Sequence, residues 1–276
     1  MGTFIWPRRE AETIYISSSI SNFRDKLLAR TELPEWNWKS LDKHTVFFGL
    51  YHEVDYVRFL LHRGKKTVFW CGGDILNLQK KLLWQWILVH VSARHICENS
   101  VESALLGEMG FSAEICPMIF DNPKTVAPSF SPSENPQVYL CCHPTYEEQY
   151  GVTLVEGIAS AVPSVCFHIY GVEGKNRDNV KFHGKVENDV FNREISGFQA
   201  GLRLNDMDGF SEVLAKSVLM GQYPISRIHY PMIDHASDIT QLINKLHDLK
   251  NHKKPNTDAR EYWLYELERN LCEVLS

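Results

Sequence analysis

The residue types best suited to chemistry crowd into one short run, Asn205–Ser211 (NDMDGFS). Ahead of it, Ala200–Leu204 (AGLRL) reads as a buried strand that breaks into the polar loop Asn205–Asp208 and then Gly209. Behind it, Phe210, Val213, Leu214, Ser217 and Val218 recur at helical spacing on one face. Gly221 stands where a helix C-cap belongs, and Pro224 lies just beyond. A glycine turn and a helix N-terminus at the carboxyl end of a strand is where open α/β sheets bind anions, because free N–H groups and the helix dipole point at the ligand. A second candidate is Gly72-Gly73-Asp74, which ends the strand Thr67–Cys71; two glycines let a ligand approach the backbone. Tyr51-His52 ends the neighbouring strand, Val46–Leu50, and His52 has no HExxH zinc spacing. No Ser/His/Asp or Cys/His order points to acyl transfer. No GxGxxG follows a strand and no GxxxxGK[ST] exists, so neither a dinucleotide dehydrogenase nor a P-loop enzyme is expected.

These residues need a scaffold, and the chain is long enough for one. Its 276 residues, 44% hydrophobic and 23% charged, suit two domains of about 120–150 residues. A net charge of −5 without a long basic run argues against nucleic acid. Seven cysteines lack CxxC spacing and read as reduced core thiols of a cytoplasmic protein, with no zinc site. The N-terminus lacks a signal peptide's apolar core. Leu82–Val91, the most apolar run, is broken by Gln85 and His90 and is about half a membrane span.

Strands and helices alternate along the chain, which implies parallel sheets with crossover helices. Predicted strands are Thr13–Ser17, Val46–Leu50, Thr67–Cys71, Arg94–Cys97 and Ala113–Met118. Between them fall helices near Phe23–Ala29, over Glu53–His62 (Val54, Val57 and Leu61 inward, Gly64 as cap), over a buried Leu82–Val91, and over Val101–Met109. Glu32–Asp42 reads as irregular. Asp121–Pro136, with four prolines, is the linker. The cycle then restarts with strand Val138–Cys142, a helix over Thr145–Val162 opened by a Thr145/Glu148 capping box, and strand Ser164–Ile169. Val180–Ser226 reads as strand, short helix, strand, loop, helix, strand. Asp234–Leu249 and Asp258–Leu275 close the chain as helices.

Asp208–Ser226 (DGFSEVLAKSVLMGQYPIS) resembles the signature segment of retaining GT-B glycosyltransferases, the "glycosyl transferases group 1" family. That segment reads Glu-Gly-Phe-Gly, four residues, Glu-Ala, then small residues, Gly and Pro-Val-Ile. Asp208 takes the place of the first Glu of its Glu-x7-Glu pair, Gly209 and Phe210 match, Ser211 takes the usual Gly place, and Gly221 and Pro224 match the end. The second Glu, which holds the ribose of the sugar nucleotide, falls on Lys216; this is a departure. Val180–Val186 (VKFHGKV) is similar to the family's Val-x-Phe-x-Gly-x-Val strand. CENSVESALLGEMG followed by SAEICPMIFDNP is similar to the end of its first domain.

The resemblance implies an α/β fold of two Rossmann-like domains facing a cleft: residues 1–122 on the acceptor side, 123–257 binding the nucleotide sugar, and 258–276 a helix crossing back. It implies transfer of a sugar from a nucleotide sugar to a hydroxyl acceptor (glycan, lipid-linked or polysaccharide), with retention and without a metal or other cofactor. Peripheral membrane contact is a further expectation. Asp208 and Asp74 are then the catalytic candidates. Gly209, Phe210, Ser211, Lys216, His143 and Lys185 are the donor-binding ones, and Gly72, Gly73, Tyr51 and His52 lie on the acceptor side. The loop after the first strand of domain two usually carries Arg and Lys; here it reads His143-Pro144-Thr145-Tyr146 and carries neither. Lys216 either offsets phosphate charge in their place or is a solvated helix lysine. A sugar-nucleotide epimerase and a non-catalytic binding relative stand as alternatives.

Overall fold

A computed structural model describes residues 9–276; the first eight residues of the expected first domain lie outside it. The chain falls into two compact units. The first runs to Pro123 and also takes Met207–Phe210 and Tyr265–Ser276; the second comprises Lys124–Asp206 and Ser211–Leu264.

In the first unit, five parallel strands lie in chain order: β1 (Thr13–Ile16), β2 (Thr45–Phe48), β3 (Lys66–Phe69), β4 (Arg94–Cys97) and β5 (Ala113–Ile115). The helices are α1 (Arg24–Thr31), α2 (Glu53–Leu61), α3 (Gly73–Gln79), α4 (Leu82–Val89) and α5 (Ser100–Glu108). The segment expected to be irregular adds one more parallel pairing. Glu35 bridges Ile14 beyond the edge of β1, with Ile14 N donating to Pro34 O at 3.1 Å and Trp36 N to Ile14 O at 2.7 Å. The winding therefore runs outward from β1 and then back across it to β2, the pattern of a doubly wound sheet. Accordingly, α1 (Leu27) and the end of the C-terminal helix (Leu271, Val274) pack on one face of the sheet. Residues from α2, α3, α4 and α5 (Tyr56, Phe59, Ile75, Leu88, Leu106) pack on the other.

Two helices sit otherwise than their sequences suggested. In α2 the inward residues are Asp55, Tyr56 and Phe59, whereas Val54, Val57 and Leu61 are exposed, and the helix ends at His62 rather than Gly64. The aromatic pair buries more area than the aliphatic triplet and wins the core face. The α4 run is not a buried helix either: only Leu88 is fully buried, and Leu82, Leu83 and Trp86 face outward.

The second unit carries β6 (Gln137–Cys141), α6 (Val152–Ile158), β7 (Cys166–Tyr170), β8 (Val180–Gly184), α7 (Asn188–Glu194), β9 (Ala200–Arg203), α8 (Glu212–Leu219), β10 (Ile225–Ser226), β11 (Asp234–His235), α9 (Ile239–Asp248) and α10 (Thr257–Val274), the last continuing into the first unit. All its strands are parallel, in the order β11-β10-β9-β6-β7-β8. The expected helix over Thr145–Val162 begins only at Val152. Gly151 precedes it with φ +84°, and the Thr145/Glu148 capping box gives way to a short turn capped by His143. Asp238, accepting from Gln241 N at 2.8 Å, starts α9 later than expected. Gly221 (φ +78°) follows α8 at the predicted C-terminal position.

Gly171 closes the end of β7 with φ +94°, and a Cβ there would lie 2.0 Å from the Cys142 carbonyl oxygen. Backbone on both sides leaves no way to yield. Gly171→Ala should therefore cost about 2–4 kcal/mol in urea unfolding; a loss below ~1 kcal/mol would show that the turn can shift.

Candidate functional site

The strand order of the second sheet locates a ligand site before any side chain is considered. The chain steps from β6 to β7 and β8, then returns to β9 on the other side of β6. Crossovers on the two sides of such a reversal diverge and leave a crevice at the carboxyl ends of the strands. Beside that reversal, at the carboxyl ends of β6, β7 and β8, the structure has a cavity of ≈ 240 Å³ lined by Cys141, Tyr170, Lys185, Asn188, Glu212 and Lys216, among others. This is below the ~300–1,000 Å³ of pockets that hold whole small ligands. Asn188 and Glu212 are the first residues of α7 and α8, so two helix N-termini open onto the cavity.

Two predicted donor-binding residues meet here. Lys216 is largely buried, its Nζ 3.7 Å from Glu212 Oε2 and 5.5 Å from the centre of the Phe191 ring. Lys185 joins it from the exposed stretch after β8. Ser211 caps α8, its Oγ accepting from Leu214 N at 3.3 Å. His143 lies on the exposed turn after β6, its Nδ1 accepting from Thr145 N at 3.2 Å.

Arg203 is a cation that sequence reasoning missed. It ends β9, is buried, lies with its guanidinium 4.2 Å from the centre of the Tyr150 ring, and donates to Cys141 O at 3.5 Å. An arginine inside an otherwise apolar strand was the available signal. Burial pushes the Cys141 thiol up to about 12 even though Arg203 and Lys216 oppose the shift, so this thiol is protonated at neutral pH.

The remaining residues of the predicted turn belong to the first unit. Asp208, Gly209 and Phe210 pack at the carboxyl end of β4. Asn99 Nδ2 donates to Asp208 O at 2.6 Å, and a Cβ on Gly209 would lie 2.0 Å from Glu98 Oε2. The turn expected to form one anion site is thus divided between the units, with Ser211 in the second. Glu98 and Glu102, which sequence reasoning also missed, are both buried. Glu102 Oε2 accepts from Glu98 N at 2.7 Å, while its Oε1 is buried without a partner. Burial holds both carboxyls well above the usual range; the negative charge of Asp208 adds to the shift of Glu98, and that of Glu98 to Glu102.

Asp74 also points inward. It is fully buried and accepts backbone N–H bonds from Leu50 at 3.0 Å, Cys71 at 2.9 Å and Ile75 at 3.0 Å. Burial raises its carboxyl to about 6 against those three bonds. Gly72 (φ +77°) and the exposed Gly73 precede it; a Cβ on Gly72 would stand 3.0 Å from Glu102 Oε1 and 3.2 Å from Gly209 N. Tyr51 and His52 lie where the first sheet reverses, at the ends of β1 and β2. Their amides donate to Asp55 Oδ2 at 2.9 Å each, as does Ser17 Oγ at 2.8 Å. Ser19 Oγ is 2.7 Å from His52 Nε2, both exposed. Asp55 therefore organises the rim that Tyr51 and His52 form. Among the described residues, no group of three His, Cys, Asp or Glu side chains could hold a metal ion.

No family model and no curated protein matches the chain. Solved structures do. HepE of Anabaena, solved with UDP-glucose, superposes with a TM-score of 0.63 at 11% identity, covering 96% of this chain and 97% of that one. The fold is GT-B. Sucrose-phosphate synthase from Thermosynechococcus elongatus gives 0.54 at 13% identity over 84% of this chain and 68% of that one. TarM of S. aureus, solved with UDP, gives 0.51 at 13% over 82% and 51%; the present chain spans about half of TarM's length. At such identities the likeness is one of fold. No described helix is long and apolar enough to cross a membrane.

An acid raised above its unfolded value binds more protons in the native state, so stability falls as pH rises through that interval. For Asp74 the interval runs from 3.8 to about 6; for Glu98 and Glu102 it starts at 4.5 and extends well above. Glu102→Gln keeps an oxygen for the Glu98 N–H and removes one such ionisation. Urea unfolding between about pH 5 and pH 9 should show the variant losing less stability with pH, by up to about 1.4 kcal/mol per unit. Parallel profiles would mean that Glu102 ionises freely in the folded protein.

Proposed function

We propose that this protein is a glycosyltransferase moving a sugar from a nucleotide-sugar donor to a hydroxyl acceptor. The observation that carries the reading is the cavity at the carboxyl ends of β6, β7 and β8, which the first residues of α7 and α8 and the side chains of Lys185 and Lys216 line together. That set recognises an anion with several oxygens, as a diphosphate is. The GT-B fold, shared with HepE solved with UDP-glucose, supports a nucleotide diphosphate as the anion's carrier.

In this reading the donor's diphosphate sits over the first turns of α7 and α8. As the glycosidic bond breaks, negative charge grows on the leaving diphosphate, and cations fixed beforehand stabilise it without reorganising. Lys216 fills the place where the resembled family has a ribose-binding carboxylate. A carboxylate accepts hydrogen bonds; an ammonium only donates, so Lys216 acts on phosphate oxygens or as donor to a sugar hydroxyl. Arg203 adds positive charge from the strand side, and the Ser211 hydroxyl and His143 extend the contacts. Asp208, with Gly209 and Phe210 beside it, belongs to the first unit and is not among the residues that line this cavity. Asp74 holds the Leu50 and Cys71 backbone, so that Tyr51, His52, Gly72 and Gly73 present the acceptor side. The transfer is retaining and independent of divalent metal.

Calorimetric titration with a nucleoside diphosphate, with and without a chelator, tests the reading. Wild type should bind equally in both, and Lys216→Glu should weaken binding by about 1–3 kcal/mol, the loss of a charge-assisted bond. Tighter binding by the variant would mean that a ribose site has been restored and that Lys216 marks a decayed one. Absence of binding by both proteins would favour a non-catalytic relative.

A further inference from the structure

We propose that His183 and Glu194 are positioning residues for the cavity of the second unit, and that protonation of His183 fastens the cavity-lining segment between them. His183 is next to last in β8, and Glu194 is last in α7. Between the two, Lys185, Val186, Asn188 and Phe191 all line the cavity. The ends of this segment face each other, with His183 Nδ1 3.7 Å from Glu194 Oε2. The same carboxylate oxygen accepts from the Tyr170 hydroxyl at 2.9 Å, and Tyr170 is itself a lining residue. Its ring stacks on His183 with centres 4.4 Å apart and planes inclined by 14°. That the segment serves a donor rests on the function proposed above.

Neighbouring hydrogen bonds fix where the protons sit. Gln137 Nε2 donates to Asn135 O at 2.9 Å, so its Oε1 is the acceptor 2.7 Å from His168 Nε2. That nitrogen therefore carries a proton. Burial lowers the His168 ring to about 4, so at neutral pH its Nδ1 is bare. His183 Nε2, 2.9 Å away, must then donate to it. Only Nδ1 of His183 is left to titrate, and this is the nitrogen that faces Glu194. Neutral, it turns a lone pair toward the carboxylate; protonated, it offers an N–H and a charge. A cationic ring is also attracted to the Tyr170 face on which it lies. The charged and titratable groups around it are His168 and Tyr170 from β7, Lys181 from β8 itself and Glu194 from α7, with Glu173 beside Gly184. Burial lowers the His183 ring, Glu194 opposes that shift and Lys181 adds to it, so the ring charges below the usual 6.5. The segment is thus fastened in acid and released as pH rises.

Hydrogen–deuterium exchange of the full chain at pH 5 and pH 7.5, corrected for the intrinsic chemical rate, tests this without a ligand. Wild-type protection of residues 185–191 should be roughly two- to fivefold greater at pH 5, the worth of one partly exposed ion pair. His183→Gln keeps a donor for His168 but cannot charge, and Glu194→Gln keeps an acceptor for the Tyr170 hydroxyl; each should remove the difference. Equal wild-type protection at both pH values overturns the proposal, as does a difference that persists in either variant. Calorimetry with UDP-glucose at the same two pH values should show tighter binding at pH 5 by wild type alone. Equal binding by wild type at both would overturn the positioning role. Absence of any binding would count against the donor reading only, because the exchange still decides whether the segment is fastened.

Discussion

A parallel strand can be followed by its neighbour only through a crossover, and the direction of successive crossovers decides where a sheet opens. In the second unit the chain leaves β6 on one side and returns on the other. The cavity of the candidate site lies beside that reversal. The reversal puts the ends of β6 and β9 side by side, brings Arg203 against Cys141, and turns the starts of α7 and α8 toward one cavity. The first unit obeys the same constraint with less chain. Its outward step is reduced to a single bridge at Glu35, yet that bridge suffices to put α1 on one face and the later helices on the other.

The first unit buries Asp74, Glu98 and Glu102, whose carboxyls shift upward because burial penalises the ionised form. These acids are tied mainly to backbone N–H groups and so fix loops, including the Met207–Phe210 segment. In the second unit Arg203, at the end of β9, and Lys216, within α8, lie against aromatic rings.

Much of the architecture was legible because α/β chains alternate periodicities. Val180–Ser226 follows its predicted succession of elements, and Arg94–Cys97 has the same limits in both readings. What sequence could not rank was competition between faces: Tyr56 and Phe59 outweigh Val54, Val57 and Leu61, and α4, apolar except for Gln85, has too little polar character to mark its outer face. Within the site, Lys185 and Lys216 were found by pattern and meet in one cavity. Arg203 was hidden because strand pairing, not sequence proximity, brings it to Cys141. Glu98 and Glu102 gave no signal in the sequence, and the backbone amides that reach Glu98 come from Met118 and Phe210, which are far away along the chain.

The central claim is that the anion of the donor binds over the first turns of α7 and α8. Amides in the first turn of a helix lack intrahelical partners and exchange quickly unless something covers them. Hydrogen–deuterium exchange with and without a nucleoside diphosphate therefore reads the site directly. Slowed exchange at residues 185–191 and 211–216, together with 141–143, is the predicted result. Protection confined to residues 49–55 and 72–74 of the first unit, with those segments unchanged, would contradict it.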